Sequence, residues 1–513
     1  MVEAVDLRFI FVSLLVWIFS AFFLIPFFFK KSERSNVRLP PSPPALPIIG
    51  HLHLLLSFPL FQPLQRLTSK YGPLLRLQVF GFSIIVVSSA SVAYEIYRTQ
   101  DANFSFRHNE VIEDSIIFSS YGFMTTTHSD YYKFMRKLLV TKLLGPQHLE
   151  RSRLVRGEEL ERFYVNLLEK ARRKEGIEMH KEIMKLTNNT ICRMIIGRKW
   201  SEESGEANEI QDLVMKSNGV LRKILIANGL RSFKRLGAKS WFEKEARHIS
   251  HRYDMFLEKI LVEHEKNPNE EQKDITDLLL EAYHDENAEF KLTRNHIKAF
   301  LVELFLAGTD TSAVATQWTM AELINHPNIL DKLRKEIEGV VGKNRTIQET
   351  DLPNLPYLRA VVKEGLRLHP PGALLPRTSK ERCKVRGFDV FERTAFLVNT
   401  YAIMRDPDSW EDPDEFRPER FLVSSSSTVE EKEDIKEQAL KYVPFGGGRR
   451  ICPGINLAYL SMGMVIGTMV HHFDWEIIGD KVDMEETGLF NLTMAHPLEC
   501  TPVVRFNRFT SIP

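Results

Sequence analysis

Ten residues near the C-terminus, Phe445 to Gly454, read FGGGRRICPG and restrict this chain more than any other stretch. Gly446, Gly447 and Gly448 accept backbone angles that other residues avoid and let neighbouring groups approach the main chain closely. Gly454 is expected to let the next helix pack closely, because Ile455 to Val470 is apolar and rich in helix formers. Cys452 should therefore sit where a glycine loop enters a buried helix. Taken singly, a cysteine is usually a small buried hydrophobe and a glycine run is usually a turn or a phosphate loop. The phosphate reading is weak, since GGGRR lacks the Lys-Ser/Thr of a P-loop and no hydrophobic strand precedes it. A sulfur that ligates a metal needs backbone N–H groups aimed at it and a dry pocket. This segment offers both, with Phe445 as a shield.

The other cysteines, Cys192, Cys383 and Cys500, form no CxxC spacing or cluster, so neither a disulfide framework nor a structural zinc site is indicated. Lys plus Arg number 68 against 67 Asp plus Glu. A net charge of +1 gives no field favouring nucleic acid, and charge-based docking must be local. Phe9 to Phe29 carries no charge and would span about 31 Å as a helix, one bilayer. Lys30, Lys31, Arg34 and Arg38 follow it, whereas only Arg8 precedes it, beside Glu3 and Asp6. That asymmetry predicts a retained anchor with the large C-terminal body in the cytosol.

Residues 30–50 form a basic and proline-rich hinge ending in LPPSPPALPIIG, where each proline stiffens its own position and its predecessor. Ile48 and Ile49 are expected to pack the spacer on the body. Leu74 to Ser88, with Gly81 at its centre, has the β-branched content of a hairpin. Helical patterns cover about 147–171, 239–267, 293–325 and 327–341, and a second β-rich patch runs from Val385 to Val398. Ser424 to Glu437 reads as a polar surface insertion. No linker separates halves, which gives one mainly α catalytic domain over 51–513.

The complete pattern at Phe445, Gly448, Arg450, Cys452 and Gly454 resembles the haem-binding signature of the cytochrome P-450 family, Phe-x-x-Gly-x-Arg-x-Cys-x-Gly. The helix over 293–325 resembles the family's oxygen-handling helix at Ala307-Gly308-Thr309-Asp310-Thr311-Ser312. On its own that run is more simply read as hydroxyls bonding back to i−4 carbonyls. With the resemblance, it predicts a local helix opening in which Thr311 orients and protonates oxygen and Asp310 relays protons. Glu364 and Arg367, three apart on one helical face, pair in the family with an arginine of the Pro418-Glu419-Arg420-Phe421 type. Arg377 resembles a haem propionate contact. Tyr132 and Arg136 occupy the places of a Trp-x-x-x-Arg pair whose tryptophan is absent here.

The resemblance covers essentially the whole chain. It implies haem b (iron protoporphyrin IX) as cofactor, with Cys452 on the iron and Arg450 on a propionate. It also implies dioxygen as co-substrate, electrons from an NADPH-cytochrome reductase, cytochrome b5 as a second candidate donor, and an endoplasmic reticulum location. Docking candidates are Lys133, Arg136, Lys137 and Arg449. The implied substrate wall comes from Asp101 to Thr127, from Val302, Phe305 and Leu306, from Ala373 to Leu375 and from Leu489 to Met494, with Phe118, Ala373, Leu374 and Leu492 singled out. Segments such as YGPLLRLQVFG and SSASVAYEIYR are similar to plant A-type microsomal enzymes, in the crucifer group that includes thalianol hydroxylase. A triterpenoid substrate is expected, a flavonoid is the alternative, and an isomerase or dehydratase without net oxygenation is a third reading.

Overall fold

The computed structural model describes residues 37–107, 121–197, 239–268, 273–422 and 440–505, together with Ser13, Trp17 and parts of 210–223. Apart from Ser13 and Trp17, the expected anchor lies outside the described residues, as do Phe118 and the polar stretch 424–437. The principal helices are α1 (Phe61–Tyr71), α2 (Asp130–Leu138), α3 (Arg153–Arg173), α4 (Met179–Ile196), α5 (Lys239–Lys266), α6 (Arg294–Asn325), α7 (Pro327–Val341), α8 (Pro356–Leu368) and α9 (Ile455–His472). The helix expected over 147–171 is divided into a short Pro146–Arg151 helix and α3. At the division Ser152 Oγ donates to the His148 carbonyl at 2.7 Å.

The expected hairpin is present. Strands β1 (Leu74–Val79) and β2 (Phe82–Val87) pair antiparallel with Val79 opposite Phe82. The two turn residues, Phe80 and Gly81, both have positive φ, the geometry whose twist matches paired strands. Two further strands, β3 (Leu374–Thr378) and β4 (Ala395–Asn399), complete a sheet of order β1-β2-β4-β3. A smaller sheet joins Ile177–Glu178, Glu499–Val504 and Phe473–Ile477. The proline spacer does lie on the body, with Ile49 half-buried as expected but Ile48 turned out. Ile48 is 81% exposed. Contact is made by the Pro41 carbonyl, which accepts from Arg76 N, by the Pro43 carbonyl with His51, and by Arg38 with Asp389.

The central element is α6, buried on every side along most of its length. By length and hydropathy it would pass for a membrane span, yet it is the core helix of the body. Its start is fixed by reciprocal caps: Thr293 Oγ1 accepts the His296 N–H, and His296 Nδ1 accepts the Thr293 N–H. The opening expected around Gly308 is absent, because α6 runs through 307–312 as continuous helix. The glycine serves a close crossing instead. A Cβ at 308 would lie 2.9 Å from Ile191 of α4, and Thr187 Oγ1 of α4 donates to the Thr309 carbonyl at 3.0 Å.

Behind the cysteine loop, Glu364 and Arg367 of α8 are fully buried. Arg367 Nε and one terminal nitrogen hold the two Glu364 oxygens at 2.8 and 2.9 Å. Arg420 Nε and the Arg417 N–H reach the same carboxylate, each at 2.9 Å. The remaining guanidinium nitrogens bind main-chain carbonyls of Met404, Glu411, Asp412, Pro413 and Glu415. One carboxylate thereby ties the coil over 404–421 to α8.

Two outcomes follow for stability. Glu364→Gln leaves buried guanidinium charge uncompensated and should cost about 3–5 kcal/mol, read as a lower midpoint in thermal unfolding and failed haem incorporation rather than slow turnover. Gly308→Val overpacks the α4 crossing and should cost about 1–3 kcal/mol. Adding Ile191→Ala should recover part of that loss.

Candidate active site

Cys452 lies between a short 3₁₀ turn, Gly448–Arg450, and the start of α9. Its N–H donates to the Phe445 carbonyl at 3.1 Å, which closes the loop. Burial pushes the thiol up, while the Gly454 N–H and the charge of Arg136 favour its anion. Gly454 is thus used for its N–H. A Cβ there would meet only Cys452 Sγ within 4 Å, at an ordinary 3.8 Å, so close helix packing does not require the glycine. Gly446 and Gly448 have φ of +71 and +69°, angles that favour glycine. At 448 a Cβ would also strike Asp101 Oδ1 at 2.2 Å, and Asp101 holds the next N–H, of Arg449. Phe445 packs edge to face on Tyr459, centroids 5.4 Å apart.

A cavity of about 1480 Å³ opens in front of the sulfur, larger than the roughly 300–1,000 Å³ of ordinary ligand pockets. Arg107, Arg377 and Arg450 are among the arginines that border it, and these three interact electrostatically. Arg107 is pushed down to about 9 by burial and by the other two, and Arg450 to about 10. Arg450 donates to the Ser105 and Thr126 carbonyls and lies 3.9 Å over the Tyr132 ring. Arg107 Nε is buried with no hydrogen-bond partner among the described residues. Concentrated buried positive charge with an unsatisfied donor fits a dianionic ligand, and a sulfur on the same wall fits iron. The donor set therefore matches haem. Sequence reasoning places Arg107 and Asp101 only within the expected substrate stretch Asp101 to Thr127, because no local motif marks their roles beside the cofactor and the glycine loop.

Tyr132 is committed elsewhere. Its hydroxyl donates to the Arg449 carbonyl at 2.8 Å and its ring stacks on Phe123 at 4.8 Å. Arg136 turns inward to the Ile451 carbonyl at 2.7 Å, which removes it from the docking surface. Lys133, Lys137 and Arg449 are exposed, paired with Asp130, Glu289 and Asp101.

On the opposite wall Thr311 faces the cavity from α6, its hydroxyl donating to the Ala307 carbonyl at 2.8 Å. Asp310 Oδ1 is 3.2 Å from His180 Nε2 of α4, both side chains about a quarter exposed. Of the expected substrate wall, Leu306 lines the cavity. Val302 and Phe305 instead turn into the helical core, and Ala373, Leu374 and Leu492 into a second core beneath the four-stranded sheet. Within the same expected stretches, Leu375, Phe490 and Asn491 do line the cavity.

The family model described as Cytochrome P450 matches residues 40–499. Cytochrome P450 705A5 of Arabidopsis thaliana is 56% identical over 98% of each chain. The 3,9-dihydroxypterocarpan 6A-monooxygenase of Glycine max is 38% identical over 97% of this chain and 99% of its own. A zebra fish cytochrome P450 structure with progesterone superposes with a TM-score of 0.74 at 25% identity, covering 88% of this chain and all of that one. The chain belongs to the cytochrome P450 family and is a haem b monooxygenase of plant specialised metabolism.

Proposed function

We propose that this enzyme hydroxylates or desaturates a lipophilic specialised metabolite, a triterpenoid by preference, with Cys452 as the sulfur ligand to iron. The observation that carries the reading is that Cys452 and the Asp310–Thr311 pair border one cavity. Haem, when bound there, supplies the redox-active iron at which dioxygen is activated. Hydroxylation consumes a C–H bond, dioxygen, two electrons and two protons, and yields an alcohol and water. Thr311 Oγ1 holds a proton on the cavity wall. Asp310, tethered to His180 and partly open to solvent, replenishes it. Arg107, Arg377 and Arg450 would orient the cofactor through its carboxylates, and the Gly454 N–H and Arg136 favour the anionic sulfur that iron would bind, against the opposing effect of burial.

In this reading residues 9–29 anchor the chain in the endoplasmic reticulum membrane, 30–50 form the hinge, and 51–513 the cytosolic catalytic body. An NADPH-cytochrome reductase, with cytochrome b5 as a second donor, would meet Lys133, Lys137 and Arg449. An anchored body and a largely apolar cavity favour a substrate that partitions into lipid. The triterpenoid preference rests on the likeness of Tyr71 to Gly81 and Ser88 to Arg98 to the thalianol hydroxylase group. The pterocarpan named for the Glycine max relative supports a flavonoid-type substrate as the second reading.

The reduced, membrane-expressed protein should give a strongly red-shifted Soret band with carbon monoxide, lost in Cys452→Ser. A folded, haem-loaded wild type without that band would overturn the ligand assignment. Thr311→Ala should keep the band and NADPH-driven oxygen uptake while product falls by about 10²-fold or more, the usual worth of a positioned acid. Product without coupled oxygen uptake would point to an isomerase or dehydratase.

A further inference from the structure

Glu303 is only 7% exposed, yet it borders the cavity from α6, two turns before Thr311. Its helical neighbours Phe300, Leu301, Val302, Phe305 and Leu306 are buried and apolar, a setting in which a bare carboxylate is costly. Both oxygens lie 3.0 Å from the Met124 N–H. That contact holds the segment over 122–125 against α6, but it does not explain an acid. A glutamine carbonyl would accept the same N–H without a buried charge.

Burial pushes the Glu303 carboxyl up to about 8, against the pull of the Met124 and Phe123 N–H groups, Arg107 and Arg450. Near neutral pH the group is mostly protonated, and a protonated carboxyl donates as well as accepts. Eight residues separate it from Thr311, about 12 Å along the helix axis. Ala307 lies midway on the same side and also borders the cavity.

We propose that Glu303 is a specificity-determining residue that hydrogen-bonds a hydroxyl group at one end of an elongated apolar substrate. Oxidation then falls on a carbon beside Thr311, about 12 Å from that hydroxyl. The inference rests on the monooxygenase reading of the cavity but does not require a triterpenoid. A site built to bond a hydroxyl discriminates against the molecule lacking it, because the O–H of the buried acid is then left without an acceptor.

The ferric holoprotein is titrated with two probe pairs and binding is followed by the haem absorbance shift. The pairs are a triterpene alcohol with its deoxy hydrocarbon, and 1-dodecanol with dodecane. Wild type should prefer the alcohol by about tenfold or more in at least one pair, as one satisfied buried hydrogen bond allows. Glu303→Leu should bring that preference to about unity while keeping hydrocarbon affinity. Glu303→Gln, which retains an acceptor for the Met124 N–H, should fold as wild type and show an intermediate preference. A wild type without preference in either pair overturns the proposal. So does a preference unchanged in both variants, or an equal weakening of alcohol and hydrocarbon, which is the mark of a clamp alone. A dodecanol preference that depends on Glu303, without triterpene binding, upholds the acid and removes the triterpenoid. Loss of the carbon monoxide band in wild type removes the monooxygenase reading instead.

Discussion

Glu364 is a fully buried carboxylate. Four donors replace its hydration, three from the guanidiniums of Arg367 and Arg420 and one from the main chain at Arg417. The arginines in turn spend their other N–H groups on carbonyls of the coil over 404–421. Coil of this kind has few ladder bonds of its own, so its path is set by where those carbonyls find donors. The coil meets the approach to the cysteine loop where the Phe421 ring packs edge to face on Tyr442, centroids 5.1 Å apart. A hydrophobic replacement of such an ion network is often neutral in stability, but it would give the carbonyls nothing to bind, and the coil's course would no longer be specified.

The second constraint is an imbalance of charge. Arg107, Arg377 and Arg450 repel one another, and Glu303 is the acid that burial leaves beside them. Alone, this cluster is a poor way to stabilise a fold. It becomes reasonable once the two carboxylates of haem are counted, since they neutralise the guanidiniums and leave Glu303 free to stay protonated. The cofactor is therefore part of the electrostatic design of the cavity, and the protein without it carries an unmet demand for anions.

Much of this was legible from residues alone. The helix N-cap at Thr293, the turn at Gly81 and the pattern around Cys452 each impose a local geometry that short sequence windows reveal. The Glu364–Arg367 spacing was legible too, with Arg420 supplied by the family resemblance. What escaped is what depends on faces and on distant convergence. Because α6 is apolar all round, its periodicity gives no preferred side, and Val302 and Phe305 are indistinguishable in sequence from the cavity-facing Leu306. Arg107 gains its meaning only beside residues 270 and more positions away. Gly308 looked like a flaw in a helix, although in three dimensions it is the clearance that Ile191 needs. Ile48 invites a packing reading because it is apolar, whereas much of the spacer's fastening runs through backbone groups, which composition does not display.

The sides of α6 carry different tasks. One side, through Gly308 and Thr309, is locked to α4. The cavity side presents Glu303, Ala307 and Thr311 in a row, and Asp310 at the margin reaches His180 and solvent. Rigidity is the common requirement. A proton donor is useful only if it stays where the substrate carbon arrives, and misplacement by about 1 Å can cost about 10²-fold in rate. An unbroken, fully packed helix fixes the spacing between Glu303 and Thr311 as no loop would. That makes α6 a ruler, and the length it measures is a property of the substrate.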